Sequence, residues 1–384
     1  MAQANNTKRK QRLIEIKKHN AKIYKQYRQR NKRRIKEKEY ITQMKNPDNV
    51  LEIDDLHTFF YTDIGTVRAV DGVTIQVPKG KTVGIVGESG CGKSVTSLSI
   101  LRLLQEPQGQ IAGGALRYNQ VSKNRAIDLA KLPQKVMEDI RGNEISMIFQ
   151  EPMTTLNPVF TVGQQLDEVL KYHNTDKLSS KEITARSIEI LKLVGIANAE
   201  GVYKMYPHEL SGGMRQRIVI AIALSCNPQL IIADEPTTAL DVTIQAQILD
   251  LLRALKDKIN ASIMLITHDL GVVAETADYV TVMYAGRVIE EGTVEEIFHH
   301  PSHPYTIGLI ESRPSASTGS DKLFSIPGNV PNPIELPNYC FFRNRCDKCV
   351  QACAGPFPPM ISLSETHKVA CYRYLRGMTK GGGA

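Results

Sequence analysis

Residues 87–94 read Gly-Glu-Ser-Gly-Cys-Gly-Lys-Ser, a G-x-x-x-x-G-K-[ST] run. The chemistry of that spacing is anion binding. Gly87, Gly90 and Gly92 let the chain fold closely around phosphate oxygens. Backbone N–H groups of the loop and the N-terminus of a following helix then point at the anion, so Ser89, Cys91 and Val95 join the candidate contacts. Lys93 would neutralise charge on the β- and γ-phosphates, and Ser94 would offer a hydroxyl to Mg²⁺. Much later, Leu230-Ile231-Ile232-Ala233-Asp234-Glu235 is an apolar run ending in two acids. An Asp at such a tip can hold Mg²⁺, and a Glu beside it can polarise a water for attack on the γ-phosphate.

Both motifs need strands to aim them. Apolar runs of strand length fall at 82–86, 145–149, 230–233, 263–266 and 280–283, and they alternate with helix-length periodic segments such as 95–104. Buried strands alternating with helices predict an α/β fold, a mostly parallel sheet with helices on both faces. A more helical insert is expected between Gln150 and Pro207, with helices over 161–172 and 181–194. After about residue 310 frequent prolines and clustered cysteines mark a small loop-rich module, and 380–384 reads as a flexible end.

Leu210-Ser211-Gly212-Gly213-Met214-Arg215-Gln216 lies just upstream of the acidic strand. With the phosphate loop it resembles the signature of ATP-binding-cassette (ABC) ATPases, over about residues 51–310. Gln150 resembles that family's Q-loop glutamine, Ala239-Leu240-Asp241 its D-loop and His268 its switch histidine. Phe60 stands in the place of the aromatic that stacks on adenine, with Tyr61 as the fallback. The resemblance implies a site completed by a second cassette, whose Ser211, Gly212, Gly213 and Asp241 approach the opposite nucleotide. It makes Glu235 the activator of water and Gln150 and His268 sensors of the γ-phosphate. Ser94, Gln150 and Asp234 become the Mg²⁺ set.

Three further details are similar to the ATPases of oligopeptide/dipeptide (and nickel) importers: 151–158 (Glu-Pro-Met-Thr-Thr-Leu-Asn-Pro), 206–210 (Tyr-Pro-His-Glu-Leu) and 303–306 (His-Pro-Tyr-Thr). They imply ATP-powered peptide import through two separate permease subunits, with a second, different ATPase subunit and an extracellular binding protein. A nickel importer ATPase is the alternative within the family. A soluble ATPase acting on nucleic acid or ribosomes is the rival outside it. The domain reading is a basic extension over 1–50, a cassette over 51–310 with a helical subdomain at about 151–210, and a C-terminal module over 311–384.

Cys340, Cys346, Cys353 and Cys371 follow C-x5-C-x6-C-x17-C, with Cys349 as an extra. Four thiolates in a loop-rich segment suit a structural Zn²⁺ or an Fe–S cluster, and reduced, unliganded cysteines are the third reading. The spacing resembles the importer family's C-terminal module, which implies a [4Fe–4S] cluster. Cys91 and Cys226 read as packing or backbone positions, Cys226 within a helix.

Charge locates one more question. The chain carries a net +8, yet residues 1–50 hold 16 Lys+Arg against 4 acids, so the body is mildly acidic. Leu13, Ile16, Ile23 and Tyr27 form a broken apolar stripe, interrupted by Asn20, which predicts a helical but poorly anchored tail. A solvated tail, anionic lipid of the inner leaflet, and RNA or DNA are the three readings of what it touches. No run approaches the roughly 20 apolar residues of a membrane span. The first 30 residues lack an apolar stretch and argue against a secretory signal, and the expected place is the cytoplasmic face of the membrane.

Overall fold

The computed structural model describes residues 2–174, 177–238, 241–312 and 325–375. Ala239 and Leu240 of the expected D-loop, Pro314 and the 380–384 end lie outside them. The chain opens with helix α1 (Ala2–Lys32). Strands β1 (Ile41–Thr42), β2 (Asn49–Thr62), β3 (Gly65–Pro78) and β4 (Thr82–Val86) lead to helix α2 (Lys93–Ile100). Next come β5 (Gly109–Gln120), β6 (Arg125–Asp128), α3 (Gln134–Ile140) and β7 (Ile145–Ile148). The insert holds α4 (Pro152–Thr155), α5 (Val162–Tyr172), α6 (Ser180–Leu193) and α7 (Ala199–Val202). Helix α8 (Gly212–Leu224) precedes β8 (Leu230–Asp234), α9 (Val242–Ile259), β9 (Ser262–Ile266) and α10 (Leu270–Thr276). The chain continues through β10 (Tyr279–Tyr284), β11 (Arg287–Thr293), α11 (Val294–His299) and α12 (Pro304–Glu311), then β12 (Ile361–Ser362) and β13 (Lys368–Val369).

The main sheet has the order β12-β13-β11-β10-β4-β9-β8-β7. From β10 to β7 it is parallel, while β11, β13 and β12 are antiparallel. The five apolar runs appear as β4, β7, β8, β9 and β10, each within one residue of its expected limits at either end. The second sheet, β1-β6-β5-β2-β3, is antiparallel and was not expected. Its signal was present: in β3, Val73, Ile75 and Val77 are buried while Thr74 and Gln76 are exposed, the alternation of a one-sided sheet. Helix α2 stops at Ile100 rather than 104, because Arg102 takes a left-handed φ of 51°. Helices α5 and α6 start at capping boxes, Thr161 with Gln164 and Ser179 with Glu182. Cys226 lies in the turn after α8, not in the helix.

Three buried clusters hold these layers together. One fills the space between the two sheets, from Leu51, Ile53 and Tyr118 to Ile85 and Met264. A second joins the helical insert to α8, α9 and the main sheet. The third sets Phe341, Phe342, Cys340, Cys353 and Tyr372 against Val280, Val282 and Tyr284 of β10. The C-terminal segment is therefore packed on the main sheet and hydrogen-bonded to its β11 edge.

The tail differs from its expectation. Residues 41–42 pair with β6 and Tyr40 is buried, so the end of this segment is packed on the body of the protein. Helix α1 is docked, and the residue that breaks its apolar stripe is its anchor. Asn20 is 6% exposed and donates to the Thr62 carbonyl at 3.0 Å. Tyr24 donates to the Tyr61 carbonyl at 2.7 Å, Tyr27 to Glu106, and Arg12 pairs with Glu335 at 2.7 Å. Leu13 and Ile14 stay exposed. A polar, hydrogen-bonded face gives little signal in an apolar periodicity, which is why the docking was not legible.

Candidate nucleotide site

Strand β4 is buried throughout and runs between β9 and β10, so its carboxyl end delivers residues 87–92 at the centre of the sheet edge. Gly87 and Gly92 are required there sterically. A Cβ on Gly87 would lie 2.2 Å from the Met283 carbonyl oxygen, and one on Gly92 2.4 Å from that of Ala69, at φ values of 151° and 100°. Gly90, at φ 78°, faces open space. Ser89, Gly90 and Ser94 are exposed and Val95 half-buried, whereas Cys91 is wholly buried, its thiol pushed up by burial. Lys93 is also buried, and its ammonium is folded onto the loop, donating to the Gly87 and Glu88 carbonyls at 2.7 and 3.2 Å. The charge thus rests on peptide oxygens of the loop itself.

Asp234 ends β8, beside the start of α2. It is 6% exposed and accepts from the Ser94 and Ser97 hydroxyls at 3.1 and 3.5 Å. Burial raises its carboxyl above the usual range, and the charge of Glu235 adds to this against the pull of Ser94 and Lys93. A desolvated carboxylate with hydroxyl neighbours is a hard-oxygen donor set that suits Mg²⁺. Of the three candidate Mg²⁺ ligands, Ser94 and Asp234 meet. Gln150 is turned elsewhere.

Glu235 sits one residue beyond, at a left-handed φ of 48° that turns its side chain across the strand tips. Its Oε2 accepts from Gln150 Nε2 and from the Thr238 hydroxyl, both at 2.9 Å, and its Oε1 lies 3.2 Å from His268 Nδ1. Gln150 follows β7, Glu235 follows β8, His268 follows β9 and the phosphate loop follows β4. Four neighbouring parallel strands thus present the candidate catalytic side chains at their carboxyl ends, the place where open α/β sheets bind ligands. Thr238 was not singled out from the sequence. Nor was Gln216, fully buried on α8, which donates to the Pro236 carbonyl at 2.6 Å and so ties that helix to the Glu235 loop. Their only signal was membership of, or nearness to, a motif.

The remaining candidates are placed more loosely. Ser211 caps α8, its hydroxyl accepting from Met214 N at 3.3 Å, and Ser211 and Gly212 are exposed. Asp241 is exposed and caps α9 by accepting from Ile244 N at 3.0 Å. Phe60 is half-buried on the face of β2 that it shares with Thr58, whose hydroxyl is 2.8 Å from Ser99 of α2. Tyr61 points the other way and is covered by α1, with His19 at 6.0 Å between ring centroids. It cannot act as the fallback stacking residue while α1 stays docked.

All seven cysteines are free thiols. Cys340, Cys353 and Cys371 are buried, Cys346 is half-buried and Cys349 exposed. Burial pushes Cys340 up to about 12, and the neighbouring Cys353, Cys371 and Cys346 add to it. Burial pushes Cys346 up to about 11, with Cys371 first among the charges that add. Each of the four thus feels the charge of at least one other, or is felt by it. Among the described residues, however, no group of three or more His, Cys, Asp or Glu is arranged to hold a metal ion.

Comparisons with known proteins place the chain in a family. The ABC transporter family pattern matches residues 70–238, and the "oligopeptide/dipeptide transporter, C-terminal region" pattern matches residues 289–353. The chain is 51% identical over 325 residues to the oligopeptide transport ATP-binding protein AppD of Bacillus subtilis, covering 85% of this chain and 97% of that one. It is 49% identical over 325 residues to the dipeptide transport ATP-binding protein DppD of the same organism, covering 85% and 95%. A putative peptide import ATP-binding protein of Brucella abortus is 49% identical over 331 residues, covering 85% and 97%. Among solved structures, a dimeric bacterial ABC transporter cassette superposes with a TM-score of 0.56 at 27% identity, covering 64% of this chain and 98% of that one. The cbiO1 protein of Clostridium perfringens gives 0.55 at 28%, covering 66% and 92%. The chain belongs to the ABC transporter family, in the branch of oligopeptide and dipeptide transport ATP-binding proteins.

Proposed function

We propose that this chain is the ATP-hydrolysing subunit that powers peptide import through separate permease subunits. The observation that carries the reading is the meeting of Gln150, Thr238 and His268 on Glu235, one residue from the Asp234–Ser94 pair beside the phosphate loop. Gly87 to Val95 would cradle the triphosphate, with Lys93 leaving the loop carbonyls for the phosphates. Mg²⁺, held by Ser94 and Asp234, would supply charge neutralisation at the phosphate oxygens, and Gln150 would join them only by leaving Glu235. Glu235 would accept the proton of the attacking water, positioned by its three donors. Gln150 and His268 would register the γ-phosphate, and Phe60 would stack on adenine.

The exposed Ser211 and Gly212 at the start of α8 suit a partner's nucleotide: a helix N-terminus open to solvent is an anion site in search of an anion. A solved relative is itself a dimeric cassette, which supports a pair of cassettes closing on two nucleotides, with Asp241 near the shared seam. Closure would pass to the permease through the segment after Gln150, where Val159 and Phe160 are exposed. No helix among the described residues is long and apolar enough to cross a membrane; in this reading the spanning subunits would be other chains, with this one against the cytoplasmic face. A binding protein outside the cell would deliver cargo. The relatives reported are named for oligopeptide, dipeptide or peptide transport, which favours peptide over nickel. The division into 1–50, 51–310 and 311–384 is carried with this reading. So is a [4Fe–4S] cluster on Cys340, Cys346, Cys353 and Cys371, on the ground that four thiolates are chemically suited to it. The cluster would supply cross-linking of a segment with little regular structure. Anionic lipid is the partner proposed for the solvent face of α1.

The experiment is purification of the tagged chain from membranes in mild detergent. Two multi-spanning subunits that raise its ATP hydrolysis when peptide and binding protein are added are expected. Recovery with ribosomes or nucleic acid, and no membrane subunits, would overturn the reading.

A further inference from the structure

The phosphate loop contains a carboxylate, Glu88. A negative side chain is the wrong sign for a loop that binds a triphosphate, and its field reaches inside the loop, adding to the burial that raises the Cys91 thiol. That charge has a partner from far along the chain. Arg345, in the cysteine-rich segment, donates from Nη1 to Glu88 Oε2 at 2.6 Å and from Nη2 to Oε1 at 2.9 Å. This is the parallel two-bond pairing that a guanidinium makes and an ammonium does not.

The arginine is held as firmly as the carboxylate. Its side chain is 5% exposed, with Nε donating to the Pro327 carbonyl at 2.8 Å and Nη2 to that of Ile326 at 3.3 Å. Its Nη1 also reaches the Tyr284 hydroxyl at 3.3 Å, and the guanidinium carbon is 5.8 Å from the ring centroids of both Tyr284 and Phe342. The Glu88 backbone is fixed from the same side, its N–H donating to the Tyr305 hydroxyl at 2.8 Å. Tyr305 is fully buried against Tyr284 and Phe342.

We propose that Arg345 is a positioning residue of the nucleotide site, which cancels the Glu88 charge and holds the phosphate loop in its anion-accepting form. The C-terminal segment is then part of the ATP site, and its sequence neighbour Cys346 places the cysteine group one residue from that control. This inference rests on the nucleotide reading of residues 87–94.

The test is equilibrium binding of Mg·ATP to the full chain and to Arg345→Gln, Glu88→Gln, the double variant and Lys93→Ala, with near-ultraviolet circular dichroism as the folding check. Arg345→Gln should weaken binding about 10-fold or more at low salt by uncovering the loop carboxylate, and added salt should shrink the loss. The double variant, which removes both charges, should return to within about 3-fold of wild type, and Glu88→Gln should bind no more weakly than wild type. A double variant as weak as Arg345→Gln, or an Arg345→Gln protein with unchanged affinity, would overturn the proposal. If Arg345→Gln does not fold, a tenfold loss in folded Glu88→Gln or in the folded double variant overturns it equally. Wild type and Lys93→Ala that both lack affinity for Mg·ATP would instead overturn the nucleotide reading itself.

Discussion

Replacing Glu235 with Gln separates the geometry of the site from its chemistry. The carboxylate accepts from Gln150 and Thr238 on Oε2, both at 2.9 Å, while Oε1 faces His268 at 3.2 Å. A glutamine can keep its oxygen toward Gln150 and Thr238 and turn its NH₂ to the histidine, which then accepts through Nδ1. The three contacts survive, so the loop and its left-handed turn should survive too. What disappears is a group able to take a proton from water, because an amide nitrogen is not basic. Loss of a positioned general base is worth about 10²–10⁴ in rate, or roughly 3–5 kcal/mol of barrier. ATP affinity should hold or rise, because one negative charge leaves the neighbourhood of the triphosphate. Single-turnover phosphate release with prebound Mg·ATP reads the chemical step without product release, and equilibrium binding reads the other half. Phosphate release within about 3-fold of wild type would refute the assignment of Glu235 as base.

Lys93→Ala should weaken nucleotide binding, as equilibrium dialysis would show, because a buried cation at the phosphate position is lost; unchanged affinity would count against the loop. His303 is 2% exposed and burial holds it down to about 4, so its neutral form is the folded form. The unfolded chain takes up the proton at about pH 6.5 and the folded chain only near 4. Stability should therefore be full above pH 6.5 and fall by about 3 kcal/mol as pH drops to 4, a loss that urea unfolding of His303→Gln should show diminished. Asn20→Ala should release α1, since the Thr62 carbonyl loses its donor at a cost of about 1–2 kcal/mol; faster amide exchange confined to 2–32 is the expected signal. Anaerobic purification should yield iron and acid-labile sulfide with broad visible absorption, and zinc without iron would refute the cluster.

What the sequence settled by itself was whatever is contiguous. The loop at 87–94 could be read as a phosphate site because its glycines, lysine and serine are covalent neighbours, and local geometry follows from local order. The five buried strands were legible for the same reason, each a short apolar run bounded by turns. The alternating strands of the second sheet were as local but went unread, since half their residues are polar.

Tertiary structure decided everything that joins distant residues. Gln150, Glu235 and His268 meet because β7, β8 and β9 lie side by side in parallel, and strand order is not written in any one segment. Which aromatic remains free near the adenine position was set by the docking of α1, which covers Tyr61 and leaves Phe60 on the opposite face. That docking rests on the amides and hydroxyls of Asn20, Tyr24 and Tyr27, whose partners are backbone carbonyls and a single carboxylate. The Arg345–Glu88 pair spans 257 residues of chain. Nothing in either residue's own neighbourhood names the other, and only the packing of the C-terminal segment on β10 makes one the counter-charge of the other.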